Sequence, residues 1–344
     1  LTSCTLCPRK CKVDRISGKK GVCGAGKDLM VSSYGPHFGE EPVLVGMHGS
    51  GTIFITHCNL LCIYCQNYEI SHLGVSEFQS FPEVTGKRNS DAGLGGVRGK
   101  QSGCPRGVTG SDSDRQRGVS PYESNRESDY LGIGEVISEE TLSDIMLKLQ
   151  KNRCHNINLV TPTHFTPQIV KSLRYAIEKG LDIPVVWNCS GYENVDIIKL
   201  LDGIVDIYMP DIKYSESEPA KKYSNAPDYF ERCKESIEEM YRQVGDLRIN
   251  SSGIAEKGLL VRHLVLPDNL AGSEKVLKFI AGLSKDTYIN IMDQYRPCGS
   301  AHLYPEINRR PTGEEFREVI KIARSLGLQR GFENKILHKR ESRK

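Results

Sequence analysis

Three closely spaced cysteines are the residues of this sequence with the clearest chemistry. Cys58, Cys62 and Cys65 have C-x3-C-x2-C spacing and directly follow the short apolar run 52–56. Thiolates bind soft metals, and three of them on one tight loop can hold three corners of a cubane iron–sulfur cluster. Because such clusters ordinarily have four cysteine ligands, this loop leaves one iron open to a substrate or cofactor. The motif therefore predicts a site of chemistry and not only of electron storage.

A second set of cysteines lies near the N-terminus. It comprises Cys4, Cys7, Cys11 and Cys23. Four thiolates suit either a closed tetrahedral zinc site or a second iron–sulfur cluster, and the sequence does not separate these two alternatives. Clustered cysteines in a chain without secretory features favour metal binding over disulfides.

Length and composition limit the class of protein. A chain of 344 residues has room for a large core, and a formal net charge of +3 gives no strong signal of nucleic-acid binding. No apolar run reaches the ~18 residues that a membrane span requires. No signal peptide is visible. We therefore expect a cytoplasmic protein, with an organelle as the alternative location.

The regular part of the sequence alternates between strands and helices. Short apolar segments with many β-branched residues predict six strands, and amphipathic segments between them predict helices. The predicted strands are 52–56, 156–160, 183–187, 204–209, 259–266 and 287–292. This alternation predicts an α/β fold with parallel strands, either an open sheet or a partial barrel. In both folds ligands bind at the carboxyl ends of the strands, where the three-cysteine loop lies.

The sequence also predicts how the chain is divided. We expect a cysteine-rich N-terminal extension over 1–48, the α/β core over 49–310, and a C-terminal helix with a basic tail over 311–344. Within the core, segment 83–130 is rich in Gly and Ser and poor in large apolar side chains. Such a segment cannot bury enough surface to offset the entropy lost on ordering, so we predict a disordered insertion.

Several segments resemble the radical S-adenosylmethionine (SAM) superfamily. The run Gly49-Ser50-Gly51-Thr52-Ile53-Phe54 leads into the three-cysteine motif, and the aromatic Tyr64 stands just before its third cysteine. Within the superfamily, the chain resembles the homologues of pyruvate formate-lyase activating enzyme. That likeness rests on the segments CIYCQNYEIS (62–71), TPTHF (161–165), YMPDIKY (208–214) and DQYRP (293–297), together with the N-terminal cysteines. It covers nearly the whole chain except 83–130.

The resemblance implies a fold, a cofactor and a reaction. It implies a partial (β/α)6 barrel with a [4Fe–4S] cluster on Cys58, Cys62 and Cys65, and SAM bound to the open iron. One electron from the cluster would cleave SAM to a 5′-deoxyadenosyl radical, which takes a hydrogen atom from the substrate. Tyr64 would contact the adenine through its main chain. The implied partners are a low-potential electron donor of the flavodoxin or ferredoxin type and a glycyl-radical protein.

One segment departs from the family pattern. Family members commonly have a Gly-Gly-Glu run at the end of the second strand, where it contacts the SAM amino group. This chain has Thr161-Pro162-Thr163-His164 at that place. A threonine hydroxyl or a carbonyl can accept the same hydrogen bond, so Thr163 and His164 are candidate SAM contacts. A structural, hydrogen-bonded role for His164 is an equal alternative.

Other polar residues follow the predicted strands. Asn188 and Ser190 are candidates for ribose contacts, with turn formation as the alternative. Asp211 and Lys213 alternate past the fourth strand, and charges that point inward at a rim usually mark a site because they cost desolvation. Gln294 is a candidate contact to SAM or substrate. Arg262 and His263 point to opposite faces of one strand, so at most one of them faces inward.

The sequence leaves three functions open. The first is a radical SAM enzyme, in its most specific form an activase of a glycyl-radical enzyme. The second is radical modification of another protein, an RNA or a small molecule. The third is a non-enzymatic iron–sulfur electron carrier, which the open iron of a three-cysteine loop disfavours.

Overall fold

The computed structural model describes residues 1–75 and 130–332, with the backbone alone for 130–132. The predicted insertion 83–130, apart from its last residue, and the tail beyond residue 332 lie outside the described residues.

One sheet of nine strands organises the described part of the chain. The strands are β1 (Met30–His37), β2 (Ser50–Ile55), β3 (Tyr130–Val136), β4 (Ile157–Val160), β5 (Val185–Cys189), β6 (Ile207–Ile212), β7 (Arg248–Ile249), β8 (Ala255–Leu264) and β9 (Tyr288–Met292). The order is β3-β1-β2-β4-β5-β6-β8-β7, and β9 also pairs with β8.

Six of these strands form the parallel part of the sheet. β2, β4, β5, β6, β8 and β9 pair successively in parallel, in the order of the sequence. The α/β class and the parallel pairing of the six predicted strands are therefore confirmed. β1 and β3 extend the sheet antiparallel beyond β2, and the short β7 pairs antiparallel with β8, so the complete sheet is mixed. The sequence did not indicate these antiparallel strands.

Helices precede, connect and follow the parallel strands. They are α1 (Pro42–Val45), α2 (Tyr68–Ser71), α3 (Glu139–Lys151), α4 (Thr166–Glu178), α5 (Val195–Leu200), α6 (Ser217–Ser224), α7 (Tyr229–Val244), α8 (Ser273–Leu283) and α9 (Gly313–Ser325). Thr312 and Glu315 form a capping box at the start of α9, because each side chain bonds the backbone N–H of the other. No helix in the described ranges is long and apolar enough to cross a bilayer.

The parallel sheet is apolar on both faces. Because side chains alternate along a strand, Val186, Ile207 and Met209 form a small cluster on one face with Leu44 and Leu260. On the other face, Trp187, Tyr208 and Leu259 belong to the large core that includes the buried sides of the helices. Burial on both faces is typical of parallel strands flanked by helices.

The turn after β5 places that strand close to β6. Gly191 has a φ of +75°, and a Cβ at this position would overlap the carbonyl oxygen of Asp211. A larger residue therefore requires β6 to move away from the end of β5. Gly203 has a similar φ of +79°, but nothing lies within 4 Å of its added Cβ.

We expect Gly191→Ala to destabilise the chain more than Gly203→Ala. Both changes place a side chain in the left-handed region, at a cost of about 1–2 kcal/mol. Gly191→Ala adds a clash with the backbone of β6, which costs about 1–3 kcal/mol more. The free energy of unfolding in denaturant measures the difference, and equal losses in the two variants would contradict the close packing of β5 and β6.

Candidate functional site

The carboxyl ends of all six parallel strands border one cavity of about 240 Å³. Nine of the residues selected from the sequence line it: Cys58, Cys62, Tyr64, Cys65, Asn188, Ser190, Asp211, Lys213 and Gln294. The cavity lies where the parallel topology predicts a ligand site.

The sulfurs of Cys58, Cys62 and Cys65 each accept a hydrogen bond. The backbone N–H of Leu60 donates to Cys58 Sγ at 3.4 Å. The hydroxyl of Ser224 donates to Cys62 Sγ at 3.0 Å, and that of Ser71 donates to Cys65 Sγ at 3.3 Å. Donors of this kind stabilise electron-rich sulfur and tune metal–thiolate sites.

Without a metal, Cys58 and Cys62 are held as thiols. Burial raises the pKa of Cys58 to about 11 and that of Cys62 to about 12, although Lys213 acts to lower the pKa of both. A metal would therefore have to displace their protons. In the described ranges, no three His, Cys, Asp or Glu side chains are set around a common metal position. Metal binding at the three-cysteine loop thus requires its thiol side chains to turn toward one centre.

The three-cysteine loop is anchored to the end of β5. The Asn59 amide donates to the carbonyl of Tyr192 at 2.6 Å, and the Ser190 hydroxyl donates to Asn59 Oδ1 at 3.3 Å. His57 and Leu61 have φ values of 67° and 58°, in the left-handed region that such residues seldom adopt. Strained backbone of this kind persists only where surrounding contacts fix it, and it is common at functional sites.

Arg9 of the N-terminal extension holds the same loop. Its guanidinium donates to the carbonyls of Asn59 and Leu60 at 2.6 and 3.1 Å. It also donates to the carbonyls of Ser224 and Asn225, at the end of α6, both at 2.9 Å. Arg9 lies between Cys7 and Cys11, so the extension is joined directly to the cavity wall.

A charged network forms another part of the cavity lining. The Arg262 guanidinium donates to Asp211 and to the Asn188 side-chain oxygen, both at 2.7 Å. Lys213 Nζ lies 2.5 Å from the other carboxylate oxygen of Asp211. Burial acts to raise the pKa of Asp211, but Arg262 and Lys213 hold it below its ordinary value. Asp211 is therefore ionised and shared between two cations.

Arg262 is a lining residue that the sequence analysis did not select. The expectation that at most one of Arg262 and His263 faces inward is confirmed. Arg262 lines the cavity, whereas His263 is buried between the carbonyl of Ile212 at 2.7 Å and the Ser273 hydroxyl at 2.8 Å. The signal that identifies Arg262 is its position beside Asp211, which lies on the neighbouring strand.

The structure places Thr163 and His164 away from the cavity lining. Thr163 Oγ1 donates to Glu193 at 2.6 Å, and His164 Nε2 lies 2.7 Å from the Thr56 carbonyl. Burial lowers the pKa of His164 to about 3, so the ring is neutral and Nε2 must be the donor. From this segment Thr161 lines the cavity instead. Its φ of 59° is one that favours glycine and strains a β-branched residue.

Tyr64 and Gln294 occupy different positions on the lining. The Tyr64 side chain is buried, with its ring edge-to-face against Tyr295 at 5.4 Å between centroids. Gln294 is exposed, and its main-chain oxygen accepts a hydrogen bond from the Gln66 amide at 3.3 Å. Tyr64 is therefore part of the packed wall of the cavity, and Gln294 lies on the solvent-exposed side of that wall.

Glu193 is a buried acid that the sequence analysis did not select. It is 1% exposed, and burial raises its pKa to about 8. The folded chain consequently keeps this carboxyl protonated at neutral pH, whereas the unfolded chain ionises it above about pH 4.5. Stability is therefore lost as pH rises between those two values.

We expect Glu193→Gln to remove this pH dependence. Between about pH 5 and pH 8 the wild-type chain should lose on the order of 2–4 kcal/mol relative to the variant, because each tenfold change in proton affinity corresponds to about 1.4 kcal/mol. Denaturant unfolding across this range measures it. Glu218→Gln, at an exposed position of α6, is the control and should follow the wild type. Parallel curves for wild type and Glu193→Gln would contradict the raised pKa.

Comparison with known proteins gives a distant relative. No protein-family model matches the chain. An uncharacterized protein of Methanocaldococcus jannaschii, MJ0674, is 28% identical over 329 residues, which cover 95% of this chain and 75% of that protein. The chain is thus similar, over most of its length, to a protein that itself has no described function.

Proposed function

We propose that this chain is a radical SAM enzyme, with a [4Fe–4S] cluster on Cys58, Cys62 and Cys65. One observation carries the proposal: three cysteine sulfurs, each with its own hydrogen-bond donor, border a cavity at the carboxyl ends of six parallel strands. We further propose that these strands curve into a partial (β/α)6 barrel. Their pairing in the order of the sequence supports this architecture.

The donor set fits such a cluster. Three thiolates leave one iron without a protein ligand, and the cavity beside them gives a second ligand access to it. Lys213 lies close enough to Cys62 to interact with its charge. A cation at this distance favours the anionic, metal-bound state of the sulfurs.

When bound, the cluster supplies one electron that cleaves SAM to methionine and a 5′-deoxyadenosyl radical. The chain's own residues would bind SAM and shield it from water. Lys213 offers N–H donors to a carboxylate, and Asn188 retains its amide N–H groups because Arg262 occupies its oxygen. The packed rings of Tyr64 and Tyr295 exclude water from one side of the cavity.

The most specific form of the proposal is an activase of a glycyl-radical protein, reduced by a flavodoxin- or ferredoxin-type donor. Radical modification of another protein, an RNA or a small molecule uses the same site and is the alternative. An electron carrier needs no cavity beside its cluster, so the cavity bordered by the three cysteines disfavours that function.

We expect the anaerobically reconstituted, reduced protein to convert SAM to 5′-deoxyadenosine. Cys62→Ala should abolish this product, because it removes a cluster ligand. Cys233→Ala is the matched control, since Cys233 is buried in α7 and does not line the cavity. Chromatography of the nucleoside product is the measurement. An intact cluster that binds SAM without cleaving it would overturn the proposal, as would full turnover by Cys62→Ala.

We expect SAM affinity to depend on the cavity lining and not on Thr163. Lys213→Met should weaken binding about tenfold, the equivalent of one charge-assisted hydrogen bond of about 1.4 kcal/mol. Thr163→Val should leave affinity within about twofold, because Thr163 bonds Glu193 outside the cavity. Equilibrium dialysis with SAM measures both variants. A larger loss of SAM affinity in Thr163→Val than in Lys213→Met would indicate instead that SAM contacts Thr163.

A further inference from the structure

The four cysteines of the N-terminal extension take no part in the function proposed above. We propose that Cys4, Cys7, Cys11 and Cys23 bind one divalent metal ion as a closed tetrathiolate centre, with buried Arg15 as its counter-charge. The proposal concerns a site separate from the cavity and stands whether or not the chain cleaves SAM.

The backbone brings the four cysteines together. Cys4 and the 12–13 segment exchange two hydrogen bonds, from Cys4 N to Val13 O at 3.0 Å and from Lys12 N to Cys4 O at 2.9 Å. The sulfurs of Cys11 and Cys23 each lie 3.4 Å from the position that a Cβ on Gly21 would occupy. Cys23 is also within electrostatic reach of Cys4 and Cys7. Residues 4–23 therefore bring the four thiols near one another, and a common metal position requires their side chains to rotate, since no three of them surround one point in the described ranges.

Two of the cysteines have a backbone N–H group near the sulfur. The N–H groups of Arg9 and Ala25, each two residues further along the chain, are close enough to Cys7 and Cys23 respectively to favour the ionised thiol. The turn at Cys7 is closed by a bond from Lys10 N to Cys7 O at 3.1 Å, and Lys10 has a φ of 40°. Backbone donors fixed by tight turns suit thiolates better than thiols, because hydrogen bonds to an ionised acceptor are stronger.

Arg15 supplies the observation that points to a charged ligand set. Its side chain is fully buried. Its Nε donates to the carbonyl of Gly26 and its Nη1 to the carbonyl of His164, both at 2.6 Å. Its Nη1 lies 4.0 Å from Cys4 Sγ. Among the described residues no carboxylate pairs with it. A buried cation without an anion is costly, whereas four thiolates around a divalent ion have a net negative charge.

The space available favours one ion over a cubane cluster. Cavities of about 360, 320 and 240 Å³ in the described part of the chain are lined by none of the four N-terminal cysteines. Cys4, Cys7 and Cys23 are themselves buried. Rotation of four thiols can enclose a single ion, whereas four irons and four sulfides would require these buried side chains to move apart. Zinc and ferrous iron both accept tetrahedral sulfur ligands.

The test isolates this centre from the cavity. A full-length variant with Cys58, Cys62 and Cys65 all changed to Ala retains only the N-terminal ligands. After anaerobic purification we expect about one zinc or iron per chain and no acid-labile sulfide. Replacing that metal with cobalt should give the visible absorption of tetrahedral thiolate coordination. Either metal supports the proposal, and the elemental analysis distinguishes them.

Other outcomes overturn the proposal. Iron and sulfide in about a four-to-four ratio would show a cubane cluster. A folded chain without metal, and without the cobalt spectrum after loading, would show that the cysteines are not ligands. If the triple variant does not fold, cobalt titrations of the wild-type chain and of Cys4→Ser are compared, and equal spectra in the two would overturn the proposal. Failure of SAM cleavage leaves these measurements unaffected.

The role of Arg15 has its own test. Arg15→Met should lower metal affinity about tenfold or more, because the buried negative centre loses its counter-charge. Lys19→Met, an exposed cation of the same segment, is the control and should not change affinity. Competition with a chromogenic chelator measures both. Unchanged affinity in a folded Arg15→Met variant would remove Arg15 from the proposal.

Discussion

A single guanidinium group ties the three-cysteine loop to the end of α6. Arg9 donates to four carbonyls, two from the loop and two from the end of α6. Carbonyls at a helix C-terminus have partial negative charge and lack intrahelical partners, so a cation is favoured there. The same helix end supplies Ser224, whose hydroxyl bonds Cys62. Arg9 therefore sets the distance between a loop of the site and one of its hydrogen-bond donors.

The charged network in another part of the cavity lining depends on the compensation of buried charge. Asp211 is tolerated because Arg262 and Lys213 bond its two oxygens. Arg262 in turn approaches Glu40, 3.7 Å away, from the segment that precedes α1. Arg262 is thus held by carboxylates from two different parts of the chain, and this fixes the strand ends relative to one another.

The sequence predicted those features that depend on local pattern. The six strands and the loop after β2 follow from β-branched apolar runs and cysteine spacing. The sequence prediction ended the third of these strands at residue 187, whereas β5 continues to Cys189. Asn188 has the character of a turn residue, and its bond to Arg262, 74 positions away, is visible only in the structure. Thr163 and His164 were expected at the rim, but the turn 163–165 after the left-handed Thr161 places them elsewhere. No local pattern reveals such long-range contacts.

The two cysteine sets differ in what surrounds their sulfurs. Those of the three-cysteine loop border a cavity, so a ligand can reach a metal held there, whereas the N-terminal sulfurs are enclosed by their own turns beside Arg15. A metal with every position filled by protein stabilises a fold, and one with an open position does chemistry. Arg9 extends from the closed set to the loop. In our proposals the enclosed centre therefore holds the reactive one in place without contacting its ligand, the rigid support that a site generating a reactive species needs.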